Sequence, residues 1–162
     1  MKPQVYKDPR PAEYFTRFHE RTRSSDPDFN KAVEQHAVVL ATRHMRDLGW
    51  TEITELGKPY DLVCRKPSGA EKHVEVKGTS GAGAEVEYTV NEVEHFRSCP
   101  HGADLIVVRD ISVDRSTHPY LTAGGTVHHV ENYRAPAADL QATRWLGRVP
   151  QDKVQAPDTV LG

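Results

Sequence analysis

The stretch Lys72-His73-Val74-Glu75-Val76-Lys77-Gly78-Thr79 constrains the fold more than any other part of the chain. In an extended backbone, alternation sends Val74 and Val76 to one side and His73, Glu75 and Lys77 to the other. The valines require an apolar cover. A carboxylate and an ammonium on the opposite face require partners of their own. Such a strand belongs near the middle of a sheet with helices packed on it.

The flanking sequence supplies those helices. Residues 11–23 read as a short helix with Tyr14, Phe15 and Phe18 as its apolar stripe. Asp26 as N-cap and Pro27 at the first helical position open a second helix, expected to run to about Leu48 and stop at Gly49. Its apolar residues are Phe29, Val33, Ala37, Val38, Leu40, Ala41, Met45 and Leu48. After Gly49 the period changes. Residues 50–56, 60–66 and 72–79 read as strands, and Pro67-Ser68-Gly69 turns the second into the third as an antiparallel hairpin. Residues 85–90 alternate and suggest a fourth strand or an extended edge, and residues 91–98 a short helix. Residues 103–113 contain the buried-strand run Leu105-Ile106-Val107-Val108. Gly124-Gly125 precedes a last strand over 126–133.

This order predicts an α/β (α+β) fold with a mixed central β-sheet flanked by α-helices. We expect one domain over 1–150: a helical segment 10–48, a sheet core 50–113 and an extension 114–150. A flexible tail follows over 151–162.

Chemistry concentrates on the hairpin. Asp61 opens the second strand, where pairing brings it beside Glu75. Two carboxylates about 4 Å apart repel by roughly 4 kcal/mol at an effective dielectric near 20. A shared proton, a cationic side chain or a metal ion must offset that. Lys77 is one such cation, and carboxylate oxygens are the donors that Mg²⁺ or Mn²⁺ prefers. An amphipathic hairpin with a surface ion-pair network satisfies the same spacing.

Three neighbours bear on that choice. Glu34 heads a helical stripe with Val38, Ala41, Met45 and Leu48, which aims it at the sheet; it also suits a first-turn acid complementing the helix dipole. Gln35 beside it is a candidate contact for a phosphate or a metal-bound water. The glycine-rich run Gly78-Thr79-Ser80-Gly81-Ala82-Gly83 lets a substrate backbone approach closely, or is simply a flexible loop. Thr89 and Glu92 have capping-box spacing, which explains both structurally and leaves Asn91 as a candidate facing the cleft.

Other classes fit less well. The chain has no apolar run of the roughly 20 residues that a membrane span needs. Its N-terminus lacks the apolar core of a signal peptide, so a cytoplasmic location is expected. Cys64 and Cys99 stand in no metal-binding spacing and are expected to be reduced and buried. The nine histidines form neither HExxH nor HxH, and adjacent His128 and His129 would face opposite sides of a strand, so the histidines read as non-ligands. The net charge of −2 is unlike that of a simple DNA binder. Arg10, Arg17, Arg21, Arg23 and Lys31 nevertheless concentrate basic charge early in the chain.

The segments Pro59-Tyr60-Asp61-Leu62, His73 to Thr79 and Tyr88-Thr89-Val90-Asn91-Glu92-Val93 together resemble the protein NO VEIN C-terminal-like domain, itself similar to the PD-(D/E)xK nuclease superfamily. Glu34 followed by Ala37 is similar to that family's upstream helix. The resemblance spans roughly residues 30–112 and is most specific at Glu75-Val76-Lys77-Gly78-Thr79. It implies a restriction-endonuclease-like core, a metal on Asp61 and Glu75, Lys77 as catalytic lysine and Glu34 as auxiliary acid. The expected activity is Mg²⁺- (or Mn²⁺-) dependent hydrolysis of DNA phosphodiester bonds in restriction-modification or phage defence. The Val76 carbonyl is a further candidate ligand, and Gln35, Thr79 and Asn91 are candidate substrate contacts. Expected partners are DNA, a recognition or helicase subunit and a second copy in a homodimer, with no membrane. The alternative is a non-catalytic DNA-binding or assembly module of a larger defence complex.

Overall fold

A computed structural model describes residues 24–58 and 60–141. The expected helix over 11–23, the early arginines and the tail from 151 lie outside the described residues. Helix α1 spans Pro27–Asp47, and strands β1 (Glu52–Glu55), β2 (Leu62–Arg65) and β3 (Glu71–Gly78) follow. Helix α2 (Val90–Ser98), β4 (Ala103–Asp114) and β5 (Leu121–Val130) complete the order. The five strands form one sheet in sequence order. β3 and β4 run parallel, joined by the α2 crossover, and every other neighbouring pair is antiparallel. This is the mixed, helix-flanked α+β sheet expected, with β3 at its centre.

Local chemistry sets the boundaries. Asp26 accepts hydrogen bonds from the Asp28 and Phe29 N–H groups and caps α1, with Pro27 inside the first turn. The hairpin turn closes through Lys66 N–H to the Ala70 carbonyl, and its register sets Leu62 opposite Val74.

Two cores lie on opposite faces of the sheet. On one, Val33, Ala37, Ala41 and Met45 of α1 cover Leu62, Cys64, Val74, Val76, Ile106 and Val108. On the other, Phe96 and Cys99 cover Leu105 and Val107, with Val86, Tyr88 and Tyr133 packed around them. The cysteines are free, buried and on different faces, as expected for reduced thiols.

The α1 face also buries a polar network. Asp104, 2% exposed, accepts from Lys72 Nζ at 2.9 Å, His129 Nε2 at 2.9 Å and the Asn132 N–H at 2.8 Å. His129 in turn meets His44 of α1 at 3.1 Å, while His128 is exposed. The adjacent rings thus diverge as alternation requires.

Four expectations change. Residues 85–89 are not a strand: they join no ladder of the sheet, and Val86 and Tyr88 instead serve the α2-side core. Gly124 and Gly125 lie inside β5 rather than before it, with φ of +69° and +103° that L side chains rarely adopt. β5 therefore extends the sheet into the segment expected as a C-terminal extension. The buried stripe of α1 is Val33-Ala37-Ala41-Met45, so Glu34 is exposed beside it and Leu48 is 45% exposed.

Gly78 serves packing rather than substrate approach. A Cβ there would lie 2.8 Å from Ala37 Cβ and 2.9 Å from the Val33 carbonyl oxygen, so α1 rests directly on this glycine. Gly78→Ala is expected to destabilise the fold by about 1–3 kcal/mol through overpacking, measured by urea unfolding.

Candidate active site

Pleating puts His73, Glu75 and Lys77 on the α2 side of β3, opposite Val74 and Val76. Lys77 Nζ sits 3.0 Å from Glu75 Oε1 and 2.8 Å from Glu92 Oε2. It also lies 5.6 Å from the centre of the Tyr88 ring. Glu75 is buried and Lys77 partly so.

Asp61 joins them from the start of β2. The β2 ladder begins at Leu62 opposite Val74, so Val76 has no backbone partner on that edge. Its N–H donates instead to Asp61 Oδ2 at 2.8 Å. A strand residue's N–H and C=O point the same way, which directs the Val76 carbonyl at the edge Asp61 occupies.

Glu92 is the residue that sequence reading assigned to structure alone. The capping box is present: Glu92 N–H donates to Thr89 Oγ1 at 3.3 Å, and Thr89 N–H donates to Glu92 Oε2 at 2.9 Å. The same Oε2 accepts from Lys77. Capping therefore fixes this carboxylate over the strand, beside Glu75. The signal was the box itself, since a reciprocal cap holds its glutamate still at the N-terminus of a helix that packs on the sheet.

The electrostatics separate the three acids. Burial pushes the Glu75 carboxyl up to about 8; Lys77 opposes the rise, and nearby Asp61 and Glu92 add to it. Burial also raises Asp61, against the opposing Val76 N–H and Lys77, with Glu92 and Glu34 contributing repulsion. Glu92 is partly buried, which alone would raise it, yet hydrogen bonds from Lys77, the Thr89 N–H and Glu75 hold it below the usual range. An ion pair alone would lower Glu75, whereas its carboxyl rises. Lys77 thus pairs with both acids, while burial holds the Glu75 carboxyl up and the bonds from Lys77 and the Thr89 N–H hold Glu92 down. It is the cationic side chain that offsets the repulsion between these carboxylates.

The pH consequence has a definite sign. A raised native pKa gives stability that is fully present below the unfolded value and lost as pH rises through the folded one. Metal-free protein should therefore lose stability relative to Glu75→Gln as pH rises from the ordinary carboxylate range to about 8. Urea unfolding in EDTA at stepped pH checks this. Comparison with Glu75→Gln removes the contributions of His44 and His95, whose lowered pKa values act with the opposite sign.

The remaining candidates are more peripheral. Glu34 is exposed on α1, and its field reaches Asp61. Gln35 lies in a separate cleft of about 400 Å³, with Lys31, His36, His118 and Tyr120 among its lining residues; Asp61, Glu75 and Lys77 are not among them. The Thr79 side chain is buried and its hydroxyl accepts from the Gly81 N–H, which closes a local turn. Asn91 is exposed in the first turn of α2.

The model for "Protein NO VEIN, C-terminal" matches residues 33–119, more than half of the chain. This chain belongs to that family. The match takes in Glu34, Asp61, Glu75, Lys77 and Glu92, and ends before β5. No curated protein and no solved structure matches the chain. No helix among the described residues is long and apolar enough to cross a membrane.

Proposed function

We propose that this NO VEIN C-terminal domain is a Mg²⁺- or Mn²⁺-dependent DNA endonuclease of the PD-(D/E)xK type, acting in restriction or phage defence. The observation that carries the reading is the convergence of Asp61 and Glu75 on one edge of β3, with Lys77 beside them. The donor set fits a hard cation: two carboxylates and the Val76 carbonyl offer oxygen only. A buried acid that keeps its proton near neutral pH is also a group that a divalent cation can displace that proton from.

Asp61, Glu75 and the Val76 carbonyl would hold the cation. When bound, it supplies Lewis-acid polarisation of a phosphate and acidifies nearby water. Lys77, freed from Glu75, orients the attacking water or stabilises charge on the phosphate. Glu92 keeps the ammonium in place from the far side. Tyr88 limits water on one flank, and burial holds its hydroxyl proton firmly. Glu34 tunes Asp61 from the helix. DNA contacts and any recognition or helicase subunit belong to the same reading, as does a homodimer able to cut both strands.

Purified full-length chain is to be incubated with supercoiled, linear and single-stranded DNA and with RNA, in Mg²⁺ or Mn²⁺. Nicking of DNA that EDTA abolishes is the expected result. Binding of DNA that survives EDTA, with no strand cut in any substrate, would instead make this an assembly or DNA-binding module.

A further inference from the structure

Two residues along β3 from Glu75, a different set of donors converges. His73 Nδ1 lies 3.0 Å from His95 Nε2 and 3.2 Å from Cys99 Sγ, and the three donor atoms all fall within 4.8 Å of one another. We propose that His73, His95 and Cys99 form a transition-metal site of the Zn²⁺ class, with three protein ligands and a fourth position left for water or another small donor.

Fold and sequence converge on this point for separate reasons. His73 is buried in the sheet, and its side chain faces α2 by alternation. His95 and Cys99 are four residues apart on α2 and at its C-cap, so both reach the same face. That spacing was the available sequence signal. The proposal departs from the expectation that the histidines are non-ligands.

The protons argue the same way. His73 Nε2 lies 3.0 Å from Glu71 Oε1. An ionised carboxylate only accepts, so Nε2 carries the proton and Nδ1 presents its lone pair to His95 and Cys99. Metal-bound histidines usually donate the other ring N–H to a carboxylate in this way, which fixes the tautomer and raises ligand basicity.

The dimensions fit. With Zn–N near 2.05 Å and Zn–S near 2.3 Å, a tetrahedral site has N···N edges of about 3.3 Å and N···S edges of about 3.6 Å. The two His73 edges of 3.0 Å and 3.2 Å need to open by a few tenths of an ångström, and the His95–Cys99 edge lies within 4.8 Å, so a side-chain adjustment sets it to the same geometry. Tyr60 stacks on both imidazoles, with centroids 3.9 Å from His73 and 4.6 Å from His95, and shields the cluster from one side. One thiolate with two imidazoles favours Zn²⁺, whereas the all-oxygen set at Asp61 and Glu75 favours Mg²⁺ or Mn²⁺. The site does not depend on the nuclease reading.

The test uses full-length chain stripped with a chelator and titrated with Co²⁺, followed by Zn²⁺ competition. A near-ultraviolet thiolate-to-Co²⁺ charge-transfer band and visible bands of tetrahedral intensity are expected, saturating at one ion per chain. Cys99→Ser should abolish the charge-transfer band. Glu71→Gln should weaken Zn²⁺ about 10-fold or more without removing the band. Asp61→Asn should leave the band intact, so failure of the nuclease reading and failure of this site are read separately. Absence of a charge-transfer band in wild-type protein overturns the proposal. So does a band that survives Cys99→Ser and is lost in Cys64→Ser.

Discussion

Changing Lys77 to methionine is expected to cut metal-dependent DNA cleavage by at least about 100-fold, the scale of losing one preorganised electrostatic group. Mn²⁺ binding should persist. The methionine keeps the apolar stem against Tyr88 and removes only the ammonium that pairs with Glu92 and sits beside Glu75. The local negative charge then rises, which favours a cation. Asp61→Asn should behave differently, weakening Mn²⁺ as well as cleavage. Its side-chain oxygen can still accept from the Val76 N–H, so the fold survives. Calorimetric Mn²⁺ titration beside a plasmid-nicking assay separates the two variants. Lys77→Met cleaving within about 3-fold of wild type would exclude an electrostatic role of the size assigned here.

The second large effect concerns stability. Asp104→Ala is expected to reduce unfolding free energy by about 3 kcal/mol, because it removes the buried anion from partly buried Lys72 and His129, leaving them only Asn132 and His44. Burial alone would raise the Asp104 carboxyl, but the bonds from His129, the Asn132 N–H and Lys72 hold it below the usual carboxylate range. The stability it contributes is therefore present above the ordinary carboxylate pKa and lost as pH falls through the native one. Urea unfolding near neutral pH should show the full deficit, shrinking as the buffer is made acidic. A deficit under about 1 kcal/mol would place this network among the weak surface interactions. Asp104 lies on the α1 face, so the variant should leave Mn²⁺ affinity at Asp61 and Glu75 unchanged.

What the sequence revealed was mostly local. The Asp26–Pro27 start of α1, the Pro67-Ser68-Gly69 hairpin and the two faces of β3 all follow from neighbouring residues, and each is present. The pairing of Asp61 with β3 was also legible, because a hairpin fixes register over a few residues. Features that depend on what packs nearby were not. Glu85-Val86-Glu87-Tyr88 alternates as a strand does, yet Val86 and Tyr88 pack into the α2-side core without joining the sheet. The Gly78 stretch looks like a ligand loop until α1 is laid across it. Glu92 was explained by its cap, and nothing local reveals that the same oxygen also holds Lys77. The spacing of His95 and Cys99 is local, but their meeting with His73 needs a strand and a helix to pack together.

The most direct measurement is an anomalous difference map from crystals of the full chain soaked in Mn²⁺. The expected peak lies within oxygen-coordination distance of Asp61 and Glu75, with Lys77 drawn away from Glu75 and still paired to Glu92. A fully soaked crystal with no density between those carboxylates, or with Mn²⁺ bound only beside His73, would contradict a catalytic cation at the edge of the central strand.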